Sequence, residues 1–212
     1  MIKVAKISPI AITIGDPSGI GPEIVAKSLN TMNKEELKEI VIVGHVESLI
    51  KSAKSLGLNE KISHTNLINT SNFSKKITPC VSSAEGGEAS YRSIVKAVEL
   101  AKKNKVSAIV TAPISKNALH MAGYKFDGHT GLIAELCGVK NAYLLLYTKH
   151  FSIVHVTSHL SLINAAKMVK KDRIFNVITT ANTYIKNIKK RDIKIAVSGL
   201  NPHAGENGLF GN

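Results

Sequence analysis

The chain alternates short β-branched runs with longer stretches whose apolar residues recur every three or four positions. Ile10–Ile14, Ile40–Val43 and Ala108–Thr111 read as strands. Tyr143–Tyr147, Ser152–Thr157 and Ile193–Leu200 extend the series. Between them lie helical patterns. Gly21-Pro22-Glu23 opens a helix to about Leu29, with Pro suited to the first turn and Glu to its positive end. Leu49, Ala53 and Leu56 mark one helix face, and Ser83–Asn104 carries Ile94, Val95, Val98 and Leu100. Short helical segments fall at Ala118–Met121 and Leu132–Leu136. Asp172 is the expected N-cap of a helix bearing Ile174, Val177, Ile178, Ala181, Ile185 and Ile188. Strands alternating with amphipathic helices predict an α/β fold, a mostly parallel sheet flanked by helices. No internal repeat or low-complexity linker interrupts it.

In such sheets ligands bind beyond the carboxyl ends of the strands. Four polar or glycine-rich segments follow predicted strands: Gly15–Glu23, Thr111–Lys116, Thr157–Leu162 and Gly199–Gly208. All four are expected at one end of the sheet, where Asp16 and Lys116 become candidate pocket residues. GDPSGIGPE lacks the GK[ST] of a P-loop and the GxGxxG of a dinucleotide turn. It reads either as a phosphate cradle or as a tight turn with a Pro-led helix.

The histidines divide by context. His45, His64, His120 and His150 have no polar constellation around them. His155 and His159 form HxxxH, but on a predicted strand; four extended residues separate the rings by roughly 13 Å, so one ion takes at most one of them. His159 is the one at the strand end. His203 follows the last predicted strand in the same way. Two imidazoles at adjacent strand ends suit a divalent ion, although catalytic zinc usually takes three protein ligands; a satisfied His in a turn is the alternative. FDGHTG places His129 and Thr130 at a helix start, either to donate to a phosphate or carboxylate, or as a Thr N-cap with an incidental His.

Composition narrows the function classes. The 212 residues suffice for one large or two small domains with a proper core. Apolar runs are too short for a membrane span, and the N-terminal apolar run enters GDPSGIGPE with no cleavage site, so it reads as a strand and not a leader. Cys80 and Cys137 show no CxxC spacing and read as two buried thiols of a reducing, cytoplasmic compartment. The net charge of +13 raises nucleic-acid binding. Only Arg92, Arg173 and Arg191 are arginine, and aromatic content is 5%, which argues against base readout or stacking. Scattered lysines favour solvated helix faces or a field for an acidic, phosphorylated ligand.

Taken in order, ITIGDPSGIGPEI, SAEGG, TAPISK with ALHMAGY, FDGHT, VTSHLSL with KKDRI, and GLNPHAGENGLFG resemble the 4-hydroxythreonine-4-phosphate dehydrogenase family of pyridoxal phosphate biosynthesis. The resemblance covers about Ala11 to Gly211. It implies an isocitrate/isopropylmalate dehydrogenase-like fold with a first α/β domain over 1–125 and the start of a second over 126–212. It also implies a homodimer that completes the active site. The implied activity is NAD(P)-dependent, divalent-metal-assisted oxidation of 4-phosphooxy-L-threonine, with decarboxylation of the keto acid. Matched residue by residue, His129 and Thr130 become substrate contacts, and His159 and His203 metal ligands, for zinc or for Mg, Mn or Co. The general acid and base are not assigned. Gly131 replaces the acidic residue usual after GHT, and Ser161 stands where Pro is frequent. VTSHLSL and GENGLFG look closer to a sister group acting on threonate or erythronate 4-phosphate. Members of the family run well beyond NPHAGE, where their third metal His, their phosphate-binding Lys and Arg and much of the cofactor site lie. The expectation is a truncated chain that binds metal weakly and does not turn over, in effect an inactive binding fragment.

Overall fold

The computed structural model of the chain describes residues 8–58, 60–71 and 77–211. It forms two compact units, divided between Ala142 and Tyr143. The expected boundary after residue 125 precedes the helix His129–Cys137, which packs within the first unit.

In the first unit, β1 (Ile10–Thr13), β2 (Ile40–Gly44), β3 (Asn66–Asn69) and β4 (Ala108–Thr111) form a parallel sheet in the order β3-β2-β1-β4. Ile10 pairs with Ile40 on one side and Ala108 on the other. Strand periodicity sends alternate side chains to opposite faces. Ile14, Ile40 and Ile42, with Ile10 and Ile12, pack against Val25, Ala26 and Leu29 of α1 (Gly21–Thr31) and Leu49 and Ala53 of α3 (Val46–Ser55). Ala11 and Val43 face Ala97 of α4 (Ala84–Lys102). Covering both faces is what a parallel sheet requires. The short helix α2 (Lys34–Lys38) has a full capping box, Asn33 with Glu36. α5 (Lys116–Met121) and α6 (His129–Cys137) follow β4, and Leu132 of α6 seals against Ile94 and Val98 of α4.

The second unit is built differently. β5 (Leu145–Tyr147) and β6 (Ser152–Val154) pair antiparallel, because a connection of Thr148–Phe151 is too short for a parallel crossover. Thr148 closes that turn: its Oγ1 accepts from the Phe151 amide at 3.0 Å. Then come α7 (Leu162–Met168) and α8 (Lys171–Lys189), which buries the i, i+4, i+8 stripe Val177, Ala181 and Ile185. Lys170, not Asp172, is the N-cap of α8; Asp172 sits inside the first turn, where it still meets the positive helix end.

Two further expectations need correction. Ile193–Leu200 forms no ladder among the described residues, and Ile195, Val197 and Leu200 are exposed. β-branched content alone does not make a strand without a partner. Cys80 and Cys137 are free, as expected, but exposed and not buried: one lies in the loop before α4 with φ 63°, the other ends α6. The Lys-bearing start, residues 1–7, lies outside the described residues.

Gly87 tests the packing of α4. A Cβ there would lie 2.0 Å from the Ala118 carbonyl oxygen. Gly-to-Ala inside a helix normally gains about 1 kcal/mol, but a backbone clash of this kind costs about 1–3 kcal/mol. Gly87→Ala is therefore expected to lower the urea midpoint of the chain; a raised midpoint would show that α5 does not sit so close.

Candidate active site

The carboxyl ends of β1 and β4 lie side by side, and their loops interlock. After β1 the Ile14 amide still donates to Val43, at 3.0 Å, and the Asp16 amide then donates to the Pro113 carbonyl at 3.0 Å. Gly15 makes this approach possible. It has φ +78°, and a Cβ on it would stand 2.2 Å from the Pro113 oxygen and 2.9 Å from the Ala112 oxygen. Asp16 is 3% exposed. Its Oδ1 accepts from the Ser18 amide at 2.9 Å and from the Ser18 hydroxyl at 2.7 Å, an Asx-type turn.

Gly86, in the first turn of α4, lies against that carboxylate: a Cβ there would be 2.8 Å from Oδ1. The buried negative charge thus sits at the positive end of a 19-residue helix. Ser83 caps the same helix, accepting from the Gly86 amide at 3.1 Å. Ser18 is tied on its other side, its carbonyl accepting from the Cys80 amide at 2.7 Å. So GDPSGIGPE is a tight structural turn with a buried carboxylate. Lys116, the first residue of α5 after the N-cap Ser115, is exposed.

His129 and Thr130 open α6, with Gly128 as N-cap and no side-chain cap bond. Thr130 is exposed and lies inside the first turn, so it is not the N-cap, which is Gly128. Burial holds the pKa of His129 below the ordinary value, against an opposing contribution from the nearby Ala112 backbone. Its Nε2 is closed to solvent and has no hydrogen-bond partner. An unmade buried bond of this kind costs about 1–3 kcal/mol and calls for an explanation.

In the second unit β6 ends at Val154, so the chain from His155 to His159 bends and does not run as a strand. The extended spacing assumed between those two histidines therefore does not apply. His159 lies in the turn before Ser161, the N-cap of α7, with φ 56°. His203 has φ 50° and opens a left-handed run, His203 to Asn207, within the turn Pro202–Gly208. Its ring centroid lies 5.8 Å from that of Phe210. Left-handed backbone costs non-glycine residues roughly 1–2 kcal/mol each, and such strain concentrates at functional positions. As metal donors the two imidazoles fit in kind but not in number. Among the described residues no three His, Cys, Asp or Glu side chains come together.

The buried Asp16 and the orphaned His129 nitrogen lie with the loops beyond a doubly covered parallel sheet, an α/β arrangement whose ligands bind at the carboxyl ends of the strands. The chain belongs to the PdxA family: residues 20–212 match the family model described as "Pyridoxal phosphate biosynthetic protein PdxA". It is 37% identical over 223 residues to the D-threonate 4-phosphate dehydrogenase of Pectobacterium atrosepticum, covering 96% of this chain and 67% of that protein. It is 31% identical over 217 residues to the 4-hydroxythreonine-4-phosphate dehydrogenase of Geobacter metallireducens, covering 96% and 64%. The crystal structure of 4-hydroxythreonine-4-phosphate dehydrogenase from Klebsiella pneumoniae superposes with a TM-score of 0.83 at 35% identity, over 97% of this chain and 67% of that one. The chain spans 62–67% of the length of these curated relatives. The expected α/β, isocitrate/isopropylmalate dehydrogenase-like fold class is the one found.

Sequence reasoning missed Ser18, Gly86 and the Pro113 carbonyl. The D-x-S spacing after a strand was a usable signal for the first; the other two act through backbone and leave no side-chain signature.

The pH dependence of stability follows from two histidines. Burial also lowers the pKa of His45, which caps α3 by accepting from the Ser48 amide at 3.3 Å. For both rings the folded pKa lies below the unfolded value of about 6.5. The unfolded state then binds more protons, so this stability is present above that pH and lost as pH falls through the folded pKa values. The urea midpoint should drop on acidification before carboxylates titrate, and His129→Gln should flatten the drop. An unchanged slope would contradict the burial of the neutral ring.

Proposed function

We propose that the chain belongs to an NAD- or NADP-dependent dehydrogenase that oxidises the secondary hydroxyl of a phosphorylated four-carbon hydroxy acid. Membership of the PdxA family, joined to a half-buried His129 beside the exposed Thr130, carries this reading. Threonate 4-phosphate is the first candidate substrate, because curated relatives at 32–37% identity are named for it, with the 4-hydroxythreonine-4-phosphate enzymes at 31–35% close behind. 4-Phosphooxy-L-threonine, and with it a step in pyridoxal phosphate formation, is the second.

When bound, the nicotinamide would supply the two-electron oxidation, taking the carbinol hydrogen as hydride while the hydroxyl proton passes to solvent. The product is a β-keto acid, which loses CO2. His129 and Thr130 contact the substrate. Asp16 shapes the loop beside them, and Lys116 supplies positive charge near the same loops. His159 and His203 hold a divalent ion together with at least one further donor. When bound, such an ion lowers the hydroxyl pKa and polarises the carbonyl. The scattered lysines favour an acidic ligand without a nucleic-acid role. No described helix is long and apolar enough to cross a membrane. A homodimer that completes the site is part of the same reading.

The complete gene product, given D-threonate 4-phosphate, NAD and Zn2+, Mg2+, Mn2+ or Co2+ in turn, is expected to form NADH and to stop when a chelator is added. His159→Ala and His203→Ala should each abolish turnover. Full activity in both variants would discard the metal assignment. Phosphate-ester binding with no NADH would favour a binding module instead.

A further inference from the structure

The turn that carries His159 is held from the side by one arginine. β6 ends at Val154, and the His155 amide adds a last rung by donating to the Leu144 carbonyl at 3.1 Å. Beyond it the chain bends away from the ladder. The carbonyl of the half-buried Val156 then needs a donor from elsewhere. Arg173 of α8 supplies it: its Nε donates to the Val156 oxygen at 2.6 Å. The guanidinium carbon also lies 5.7 Å from the centroid of the Tyr143 ring, within cation–π reach.

We propose that Arg173 is the positioning residue of the His159 turn, fixing through the Val156 carbonyl where the bend begins. Only Thr157 and Ser158 separate that tethered peptide from His159. On the far side Ser161 caps α7, its hydroxyl accepting from the Asn164 amide at 3.4 Å. The segment is therefore pinned at both ends, and His159 holds its φ of 56° between them. Left-handed backbone in a non-glycine residue persists where the surroundings determine it. That the placed imidazole serves a divalent ion rests on the proposed function; the placement itself does not.

The geometry asks for arginine in particular. Arg173 is the third residue of α8, where the positive helix end disfavours a cation. Its compensation comes from the Tyr143 face and the Val156 oxygen. A guanidinium is a plane that can lie over a ring and still direct Nε–H sideways to a carbonyl. An ammonium is a point charge on a flexible stem and has no such fork. Outer partners that orient a metal-binding histidine govern affinity by about 10–100-fold.

The test is NMR of the 212-residue chain labelled at arginine and histidine, with the exposed Arg191 as internal reference. The Arg173 Nε proton should exchange with water about tenfold more slowly than that of Arg191. Exchange at the Arg191 rate overturns the tether. Arg173→Met should shift or split the His159 ring signals and leave those of His45 and His129, in the first unit, in place. Unmoved His159 signals overturn the positioning role. Arg173→Lys keeps the charge and should behave as Arg173→Met; a wild-type His159 pattern in it overturns the need for the fork. If neither variant folds, Tyr143→Leu decides, since it leaves both hydrogen-bonding groups intact: it should speed the Nε exchange and move His159, and no change in either overturns the proposal. Zn2+ affinity, read by competition with a chromophoric chelator, should fall about 10–100-fold in Arg173→Met, with His159→Ala adding no further loss in that background. Full affinity in Arg173→Met, with loss in His159→Ala, overturns the positioning. Unchanged affinity in His159→Ala alone overturns the metal reading and leaves the positioning to stand on the NMR result.

Discussion

The Ala112–Pro113 peptide is the piece on which the first unit's functional end depends. It sits where β4 ends, and two partners approach it: the Gly15 backbone and the Asp16 amide. Each contact uses backbone carbonyls and not side chains. That is why a glycine must stand at position 15, and why the loops after β1 and β4 cannot move independently. The parallel pairing of β1 with β4, Thr13 beside Thr111, brings the two loops to the same edge in the first place. Sheet register and site geometry are therefore one constraint expressed at two levels.

Asp16 extends that constraint to a third element. A buried carboxylate is costly unless hydrogen-bonded, and Ser18 supplies two donors. The N-terminus of α4 adds a favourable field and, through Gly86, the space. The carboxylate thus organises the loop instead of confronting an anionic ligand. The second unit carries its candidate chemistry otherwise. His159 and His203 sit on strained, left-handed backbone in turns that no strand ladder supports.

Much of this was legible in the sequence. Ile10–Thr13, Ile40–Gly44 and Ala108–Thr111 were readable as β-branched runs, and the helix at 84–102 from the apolar positions Ile94, Val95, Val98 and Leu100. The strand Asn66–Asn69 was not, since NLIN has a short apolar centre between two asparagines and depends on β2 for its pairing. The run Ile193–Leu200 misled in the opposite sense, because β propensity reports how well a residue fits a sheet and not whether a sheet is there. The motif GHT singled out His129, a half-buried ring at the start of α6.

The central claim is that the β1 and β4 loops are locked together through the Pro113 carbonyl. Amide hydrogen exchange at Asp16 addresses it most directly, since that N–H has Pro113 as its acceptor. The account predicts an Asp16 amide as protected as that of Ile14, whose bond to Val43 belongs to the sheet core, so that the two open together. An Asp16 amide exchanging as fast as those of exposed loop residues, while Ile14 stays protected, would contradict it.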